Sequence, residues 1–226
     1  MRTIPALILA VLLQDVPGVK AEPRDARWLK RHEGFVADAK KGGIDLLLLG
    51  DSITDAWRGQ KALWAERFEP LKAANFGISG DCTQHLLWRL RNGELDGIAP
   101  KAVMLLIGTN NIGWNKQDEA STVAGITAVV QEIRTRSAST KILLLAVFPR
   151  GATSTDPFRA QVRKINEEIA KLDDGKTVLY LDLGPKFIAD DGSLPKDLMP
   201  DALHLSEQGY RIWADAVKAP LAALMK

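Results

Sequence analysis

The sequence predicts a three-layer α/β/α sandwich built on a five-stranded parallel sheet. Five short segments are nearly continuous in Leu, Ile, Val and Ala, a pattern typical of strands that are buried on both faces. The segments between them have helical spacing, and alternating strands and helices favour parallel strands joined by right-handed crossovers. The predicted strands are Ile44–Leu49, Ala73–Ile78, Ala102–Ile107, Lys141–Val147 and Thr177–Leu181.

Helices are predicted before, between and after these strands. The helix over Cys82–Arg91 is expected to have Asp81 as its N-cap and Gly93 just past its end. The other predicted helices are Asp25–Lys41, Glu119–Ser137, Pro157–Leu172 and Ser206–Leu224. One apolar stripe of the last helix is expected to face the core: Tyr210, Trp213, Ala214, Val217 and Leu221.

Composition and charge are typical of a globular protein of one domain. The chain has 226 residues, 46% of them hydrophobic and 26% charged, with a formal net charge of +2. Charges of both signs are interspersed, so the sequence indicates neither a nucleic-acid groove nor a polybasic membrane patch. Cys82 is the only cysteine, which excludes a disulfide or a cysteine-based metal site within one chain. We expect Cys82 to be a small buried thiol.

The N-terminus has the layout of a secretory signal peptide. Arg2 is followed by the apolar run Ile4 to Leu13, and Val19-Lys20-Ala21 provides small residues where a signal peptidase cleaves. The run is too short for a transmembrane span. Residues 1–21 are therefore predicted to be a signal peptide and residues 22–226 a single exported domain. The alternative is an apolar helix that lies on a cytoplasmic protein.

Polar motifs follow the predicted strands at the edge of the sheet where ligands bind in open α/β folds. In chain order they are Gly50-Asp51-Ser52, Ser79-Gly80-Asp81, Gly108-Thr109-Asn110-Asn111 and Asp201-Ala202-Leu203-His204. Each motif is common by itself. All four together, each at a strand end or ahead of the last helix, indicate one composite site.

The residue types at these positions are those that serine-based catalysis needs. A serine hydroxyl is a poor nucleophile until a base removes its proton, and His204 can be that base for Ser52. Asp201, three residues earlier, can accept a hydrogen bond from the other ring nitrogen and so fix its tautomer. The alternatives are an N-cap role for Ser52 and a turn-forming role for Asp201.

An oxyanion would need hydrogen-bond donors that are already in place. Three are available: the N–H groups of Ser52 and Gly80 and the side-chain amide of Asn110. Asn111 is the alternative amide donor. Gly80 could also serve only a strand-to-helix turn that needs a positive φ, and the two roles are compatible.

These motifs resemble the SGNH (GDSL) hydrolase superfamily, with Ser52, Gly80, Asn110 and His204 at the four named positions and Asp201 beside them. Within this superfamily, the chain more closely resembles the catalytic alpha subunits of intracellular platelet-activating-factor acetylhydrolase. This similarity rests on several stretches and spans roughly residues 44–224. They are NFGISGD, TQH, LWRLRNGEL, PK, GTNN, FPRG and LHLS, of which the run from NFGISGD to LWRLRNGEL is the most specific.

The resemblance implies a flavodoxin-like fold, ester hydrolysis without a metal or other cofactor, a small-molecule ester substrate and a homodimer. It also implies that aliphatic residues at Ile53 and Leu203 restrict the acyl pocket to acetyl or other short chains; plain packing is the alternative. One departure is Ser79, which stands where those subunits carry glycine. The expected export is another, because those subunits are intracellular.

Several functions and residue roles stay open at this point. A carbohydrate O-acetylesterase, a lysophospholipase, a thioesterase and a non-catalytic binding module are the alternatives to a short-chain esterase. Packing is expected for His85, and Arg150 is expected to pair with an acid or to meet an anionic substrate. Four tryptophans could line a pocket for a sugar or lipid or be buried anchors: Trp57, Trp64, Trp88 and Trp114.

Overall fold

The computed structural model of the protein describes residues 16–226, and its centre is a sheet of five parallel strands. The strands are β1 (Leu46–Gly50), β2 (Ala73–Gly77), β3 (Ala102–Leu106), β4 (Lys141–Leu145) and β5 (Val178–Leu181). Their order in the sheet is β2-β1-β3-β4-β5, and every neighbouring pair is parallel. The five-stranded parallel sheet expected from the sequence is confirmed.

Helices cover both faces of this sheet, which confirms the three-layer architecture. They are α1 (Ala26–Lys41), α2 (Ser52–Asp55), α3 (Lys61–Arg67), α4 (Thr83–Arg89), α5 (Thr109–Ile112), α6 (Glu119–Arg136), α7 (Pro157–Ile169) and α8 (Glu207–Leu224). One apolar cluster joins the sheet to α1, α4, α6 and α7. A second cluster joins the opposite face to α8 and the short helices after β1, and it contains the predicted stripe of α8.

The four leucines of β1 explain why this strand lies inside the sheet. None of them has measurable exposure to solvent. Leu47 and Leu49 pack in the cluster under α1, α4, α6 and α7, whereas Leu46 and Leu48 pack in the cluster under α8. Successive strand residues point to opposite faces, so a continuous apolar run fits a strand that is covered on both sides. Burial of each leucine side chain stabilises the folded state by roughly 1.5–3 kcal/mol relative to leaving it exposed.

The order of the strands creates a crevice at the end of β1. The chain passes from β1 to β2 on one side and then crosses to β3 on the other side of β1. Ligands of open α/β sheets bind at such a reversal, beyond the carboxyl ends of the strands. Ser52 follows the end of β1 and Asn110 follows the end of β3, so the topology places both at this crevice.

One predicted helix cap is wrong. The residue before α4 is Cys82, and its N–H donates to His85 Nδ1 at 2.9 Å. Asp81 does not cap the helix, because its fully buried carboxylate accepts from the Trp28 indole at 2.7 Å and lies 3.0 Å from Arg89 Nε. The Asp81 carboxylate is therefore paired with the Trp28 indole and Arg89 and not with the backbone N–H groups of α4.

A packed segment precedes α1. The Gly18 N–H donates to Ser121 Oγ at 2.9 Å, and the Gly18 carbonyl accepts from Thr83 Oγ1 at 2.8 Å. A Cβ atom at Gly18 would lie 2.1 Å from the Ser121 carbonyl oxygen, so only glycine fits this close approach. The segment therefore lies firmly between α4 and α6.

The expected signal peptide is only partly covered by the described structure. Its apolar run, Ile4 to Leu13, lies outside the described residues. The expected cleavage point after Ala21 lies within the packed segment, where Val19 and Ala21 contact the apolar core. Within residues 16–226, no helix is long and apolar enough to span a bilayer.

Candidate active site

Ser52, His204 and Asp201 form one continuous line of hydrogen bonds. Ser52 Oγ lies 2.9 Å from His204 Nε2, and His204 Nδ1 lies 2.7 Å from Asp201 Oδ2. A carboxylate can only accept, so its partner Nδ1 carries the ring proton and Nε2 is left to accept from the serine hydroxyl. The structure therefore brings together the three side chains that the sequence singled out, in the order that proton transfer needs.

The turn before α8 fixes His204 relative to Asp201. Asp201 Oδ1 accepts from the backbone N–H groups of Leu203 at 3.1 Å and His204 at 2.7 Å. Ala202, which follows Asp201 in this turn, has a φ of 57°, a left-handed conformation that non-glycine residues seldom adopt. Its carbonyl accepts from the Gly151 N–H at 3.0 Å. The carboxylate thus organises the turn that carries its own histidine partner.

The acid and the histidine lie at an open rim. The Asp201 side chain is 57% exposed and the His204 side chain 41% exposed. Burial acts to raise the pKa of Asp201, but hydrogen bonds from the ring and backbone of His204 outweigh it and hold that pKa below its ordinary value. Asp201 is therefore ionised at neutral pH and can stabilise a positive charge on the imidazole.

Gly50 explains how the chain turns sharply at the end of β1. A Cβ atom there would lie 2.2 Å from Thr54 Oγ1 and 2.3 Å from the Leu106 carbonyl oxygen. No larger residue fits such a gap without moving the backbone. The turn therefore sets Ser52, only half-buried, directly beyond the strand end.

Asp51, rather than Ser52, caps the short helix α2. Its Oδ1 accepts from the Ile53 N–H at 3.0 Å, and Ser52 is the first helical residue. The N-cap alternative for Ser52 is therefore wrong, and its hydroxyl is free for His204. Burial raises the pKa of Asp51 to about 7, despite that backbone hydrogen bond.

Two backbone N–H groups near the crevice lack a protein acceptor. Among the described residues, no oxygen accepts from the N–H of Ser52 or of Gly80. Gly80 has a φ of 82° and lies in a tight turn closed by the Asp81 N–H, which donates to the Ile78 carbonyl at 3.2 Å. The turn role and a free donor coincide at Gly80, as the sequence allowed.

The two neighbouring asparagines differ in their partners. Asn111 is fully buried, and its amide nitrogen lies 2.8 Å from both Thr83 Oγ1 and Gln117 Oε1. Among residues 16–226, the Asn110 amide makes a single hydrogen bond, donating to the Asp81 carbonyl at 3.0 Å. A primary amide has two N–H donors, so Asn110 keeps one for a ligand. The structure favours Asn110 over Asn111 as the side-chain donor.

Ile53 and Leu203, the residues expected at the acyl pocket, contact one apolar cluster. Ile53 is 1% exposed in the cluster under α8, and its carbonyl accepts from the Tyr210 hydroxyl at 2.6 Å. Leu203 is partly buried against the same cluster. Packing accounts for Ile53, whereas Leu203 keeps surface that a small acyl group could contact.

His85 has a structural role that the sequence only outlined. Its Nδ1 accepts from the Cys82 N–H, and its ring stacks on Trp114 with the centroids 6.1 Å apart. Burial, together with the positive charge of nearby arginines, lowers the pKa of His85 to about 4. The ring is therefore neutral at neutral pH and acts as a helix cap.

Arg150 contacts a backbone carbonyl at the end of β3. Its Nη1 donates to the Thr109 carbonyl at 2.7 Å and lies 3.2 Å from the Thr109 hydroxyl. The guanidinium carbon lies 4.2 Å from the centre of the Phe158 ring. In residues 16–226 no carboxylate is within ion-pair distance of Arg150, but the charges of Asp156, Asp51 and Asp201 act on it and oppose the lowering of its pKa by burial.

The tryptophans divide between core and surface. Trp57 is completely buried and Trp64 and Trp88 are partly buried, so these three act as packing anchors. Trp114 is 54% exposed, and it follows the strand-end motif that contains Asn110. Trp114 is thus the tryptophan that a ligand could reach most easily.

A buried ion cluster beside the site was not predicted from the sequence. Asp81, Arg89 and Glu94 are all 0% exposed; Arg89 Nε lies 3.0 Å from Asp81 Oδ2, and Arg89 also forms an ion pair with Glu94. Burial raises the pKa of Glu94 to about 7, against the opposing charge of Arg89. The one signal in the sequence is a charged residue inside the apolar run of α4, and it does not name the partners.

The described side chains suit proton transfer. The candidate site offers one hydroxyl, one imidazole and one ionised carboxylate in series. Within residues 16–226, no group of three or more His, Cys, Asp or Glu side chains is arranged to hold a metal ion.

Comparison with known proteins is consistent with this geometry. The model of the GDSL-like lipase/acylhydrolase family matches residues 48–212. The bovine (Bos taurus) platelet-activating factor acetylhydrolase IB subunit alpha1 is 40% identical over 199 residues, covering 88% of this chain and 81% of its own. Two solved structures have similar folds, a GDSL-like lipase from Bacteroides thetaiotaomicron and an acetylxylan esterase from Geobacillus stearothermophilus. The lipase has a TM-score of 0.70 at 19% identity and covers 86% of this chain and 97% of its own. The esterase has a TM-score of 0.62 at 20% identity and covers 81% and 94%.

Proposed function

The chain belongs to the GDSL-like lipase/acylhydrolase family and is a carboxylic ester hydrolase. From the geometry of its site, we propose that it is a serine esterase that hydrolyses acetyl or other short-chain esters. The observation that carries the proposal is the unbroken hydrogen-bond line from Ser52 through His204 to Asp201. That line supplies a nucleophile, a base and the group that orients the base.

In the proposed acylation step, Ser52 Oγ attacks the ester carbonyl carbon while its proton moves to His204 Nε2. The imidazolium that forms is stabilised by the ionised Asp201 on its other nitrogen. Collapse of the tetrahedral intermediate breaks the bond to the alcohol oxygen, which takes the proton from Nε2. The products of this step are the free alcohol and an ester of Ser52.

The negative charge on the carbonyl oxygen needs donors during this step. We assign that role to the N–H groups of Ser52 and Gly80 and to the free amide hydrogen of Asn110. All three come from the strand ends that meet at the crevice. Donors that are already in position need no reorganisation when the charge develops. Removing one such donor typically lowers kcat about 10²- to 10³-fold.

Deacylation repeats the same chemistry with water. His204 takes a proton from the water, the resulting hydroxide attacks the acyl carbon, and the Ser52 oxygen leaves with the proton that Nε2 returns. The carboxylic acid is released and the hydrogen-bond line is restored. No cofactor enters either step.

A short acyl group is supported by the name of the relative and by the packing. The relative at 40% identity is an acetylhydrolase by name. Ile53 follows Ser52 and Leu203 precedes His204 in the chain; both contact one apolar cluster, in which Ile53 is buried and Leu203 is partly exposed. The expected result is much faster hydrolysis of p-nitrophenyl acetate than of p-nitrophenyl palmitate. Dominant activity on the palmitate would contradict the acyl preference.

Covalent labelling tests the nucleophile. An organophosphate such as diethyl p-nitrophenyl phosphate should react once per chain, release p-nitrophenol and leave a diethyl phosphate on a peptide that contains Ser52. Mass spectrometry of the digested protein locates the adduct. A Ser52→Ala chain should stay unmodified, and an adduct elsewhere on the parent would contradict the proposal.

An acetylated glycan is the second candidate substrate, and exposed Trp114 is the observation that favours it. A flat, accessible indole can stack on a sugar ring; one face of Trp114 lies parallel to the His85 ring, and 54% of the residue is exposed. If glycan esters are the substrates, Trp114→Ala should raise KM for an acetylated xylo-oligosaccharide and leave p-nitrophenyl acetate hydrolysis unchanged. Equal effects on both substrates would contradict this candidate.

A further inference from the structure

Arg24 holds the peptide group whose N–H is the proposed oxyanion donor. Its Nη1 donates to the Ser79 carbonyl at 2.9 Å, and that carbonyl belongs to the same peptide unit as the Gly80 N–H. A Cβ atom at Gly80 would lie 3.1 Å from Arg24 Nη1 and 3.2 Å from Nη2. The guanidinium therefore covers one side of this peptide.

We propose that Arg24 is a positioning residue for the oxyanion donor at Gly80, an inference that rests on the proposed esterase function. In a trans peptide the C=O and N–H bonds point in opposite directions. A guanidinium bound to the Ser79 oxygen therefore aims the Gly80 N–H away from Arg24. That N–H has no acceptor among residues 16–226, so it is available to a substrate oxygen.

The turn geometry makes such a support necessary. Asp81 N–H donates to the Ile78 carbonyl at 3.2 Å, and Gly80, third in this four-residue turn, has a φ of 82°. Since Ser79, the second residue, does not have a positive φ, a positive φ at the third position is that of a type II turn, whereas a type I turn has a negative φ there. The two types differ mainly by a half-rotation of the central peptide, which here joins Ser79 to Gly80. A rotation to type I would turn the donor away from the site.

Glycine alone does not hold the turn in one form, because it populates positive and negative φ about equally. Arg24 biases the choice, since its charge-assisted hydrogen bond is lost when the Ser79 carbonyl rotates. The side chain of Ser79 adds a second restraint: its hydroxyl donates to Asp55 Oδ2 at 2.9 Å. Asp55 is itself paired with Arg31.

Arg24 is in turn held in place by buried groups. Its Nη1 lies 3.3 Å from Asp81 Oδ1, and the Asp81 side chain has no exposure. The same Asp81 oxygen accepts from the Trp28 indole at 2.7 Å. The Arg24 side chain is itself 27% exposed, so solvent screens part of its charge. Arg24 therefore acts mainly by fixing the orientation of the Ser79–Gly80 peptide. Its guanidinium near the Ser79 oxygen also polarises this peptide and strengthens the Gly80 N–H as a donor.

The test measures kcat, KM and thermal stability of Arg24 variants in the full chain with p-nitrophenyl acetate. Arg24→Ala should lower kcat about 10- to 100-fold with little change in KM, because the donor acts mainly on the transition state. The rate of phosphorylation by diethyl p-nitrophenyl phosphate should fall in parallel. Arg24→Lys should retain an intermediate kcat, and millimolar guanidinium should raise the kcat of Arg24→Ala.

Two control variants separate positioning from a general loss of structure. Trp28→Phe removes the other donor to Asp81 Oδ1 and leaves the Ser79 carbonyl contact intact. Arg134→Ala removes an exposed arginine at the far end of α6. The inference is overturned if Arg24→Ala keeps the parent kcat, or if its kcat falls no more than that of Trp28→Phe. It is equally overturned if Arg24→Lys and Arg24→Ala lose activity only in proportion to lost folded protein.

The same assay keeps this inference apart from the proposed function. Ser52→Ala should be inactive whatever Arg24 does. A fully active Ser52→Ala chain would remove the serine mechanism, and the role of Arg24 with it. An inactive Ser52→Ala chain together with a fully active Arg24→Ala chain would remove only the role of Arg24.

Discussion

Ser52 Oγ and His204 Nε2 are 2.9 Å apart although 152 positions separate the two residues in the chain. Ser52 is fixed by the end of β1 in the interior of the sheet, whereas His204 is carried by an exposed turn ahead of α8. The pair therefore joins a buried element to an exposed one. The buried strand sets where the nucleophile is, and Asp201 sets where the base is.

Removing the charge of Asp201 should disable the base without unfolding the protein. In Asp201→Asn the amide can still accept from the backbone N–H groups of the turn, but it no longer stabilises the imidazolium or selects its tautomer. We expect kcat for p-nitrophenyl acetate to fall by about 10²–10⁴ while the melting temperature changes little. A loss of kcat of less than about threefold would contradict this role of the Asp201 carboxylate and would indicate that water can take its place.

Replacing the two neighbouring asparagines should give opposite effects. Asn110→Ala should lower kcat by about 10²–10³ with KM and stability nearly unchanged, because it removes a transition-state donor. Asn111→Ala should instead lower the free energy of unfolding by about 1–3 kcal/mol, because it leaves buried partners such as Gln117 unsatisfied. Steady-state kinetics and urea unfolding measure both effects. A kcat loss confined to Asn111→Ala would reverse the assignment.

Asp51 predicts a pH dependence of stability. Its pKa is about 7 in the folded protein against an ordinary value of 3.8. Between these values the unfolded chain has lost the proton and the folded chain keeps it, so the free energy of unfolding falls as pH rises through this window. Above the folded pKa the loss is complete. Asp51→Asn keeps the cap to Ile53 and should flatten the decline.

The control for this prediction is Asp38→Asn, which changes an exposed acid on α1. Its stability should follow the parent at every pH. Equal slopes for Asp51→Asn and the parent between mildly acidic and neutral pH would show that Asp51 ionises normally. Asp81 and Glu94, whose pKa values burial also raises, should leave a residual slope in Asp51→Asn.

The buried ion cluster predicts a destabilisation that paired changes reverse. Arg89→Met leaves Asp81 and Glu94 buried without their common cation, and breaking such a pair typically costs about 3–5 kcal/mol. Adding Asp81→Asn and Glu94→Gln removes both orphaned charges and should restore most of the melting temperature. If the triple variant is no more stable than Arg89→Met, the loss is due to packing and not to charge.

The packed segment before α1 predicts that two truncated chains differ in thermal stability. A chain that starts at Val16 keeps the hydrogen bonds of Gly18 to Ser121 and Thr83, whereas a chain that starts at Glu22 loses them. Each buried bond contributes about 1 kcal/mol, so the shorter chain should melt several degrees lower. We also expect a lower kcat, because Arg24 then lies beside a free chain end. Identical melting temperatures would support cleavage after Ala21.

Much of the fold could be predicted because burial on two faces leaves a strong pattern. The leucines of β1 indicate a central strand by themselves. The structure shifts the ends of several strands and helices by a few residues and adds two short helices that were not predicted, α3 and α5. Helix caps were harder, since Asp81 has the side chain of a good N-cap but accepts from Trp28 instead. That choice depends on contacts between distant segments, which local preference does not contain.

The candidate site was predictable where its residues lie next to strand ends. Ser52, Asn110, Asp201 and His204 each stand in a short motif, and the topology of a parallel sheet brings such motifs together. Arg24 was not predictable, because nothing near it in sequence marks a partner 55 positions away. Its contact is to a backbone carbonyl, and every residue has one of those.

The most direct test of Ser52 as the nucleophile is the rate at which Ser52→Ala hydrolyses p-nitrophenyl acetate, compared with the parent chain under the same conditions. We expect a loss of about 10³-fold or more in kcat/KM, with the melting temperature kept close to that of the parent. A folded Ser52→Ala chain that hydrolyses the ester as fast as the parent would contradict this role of Ser52.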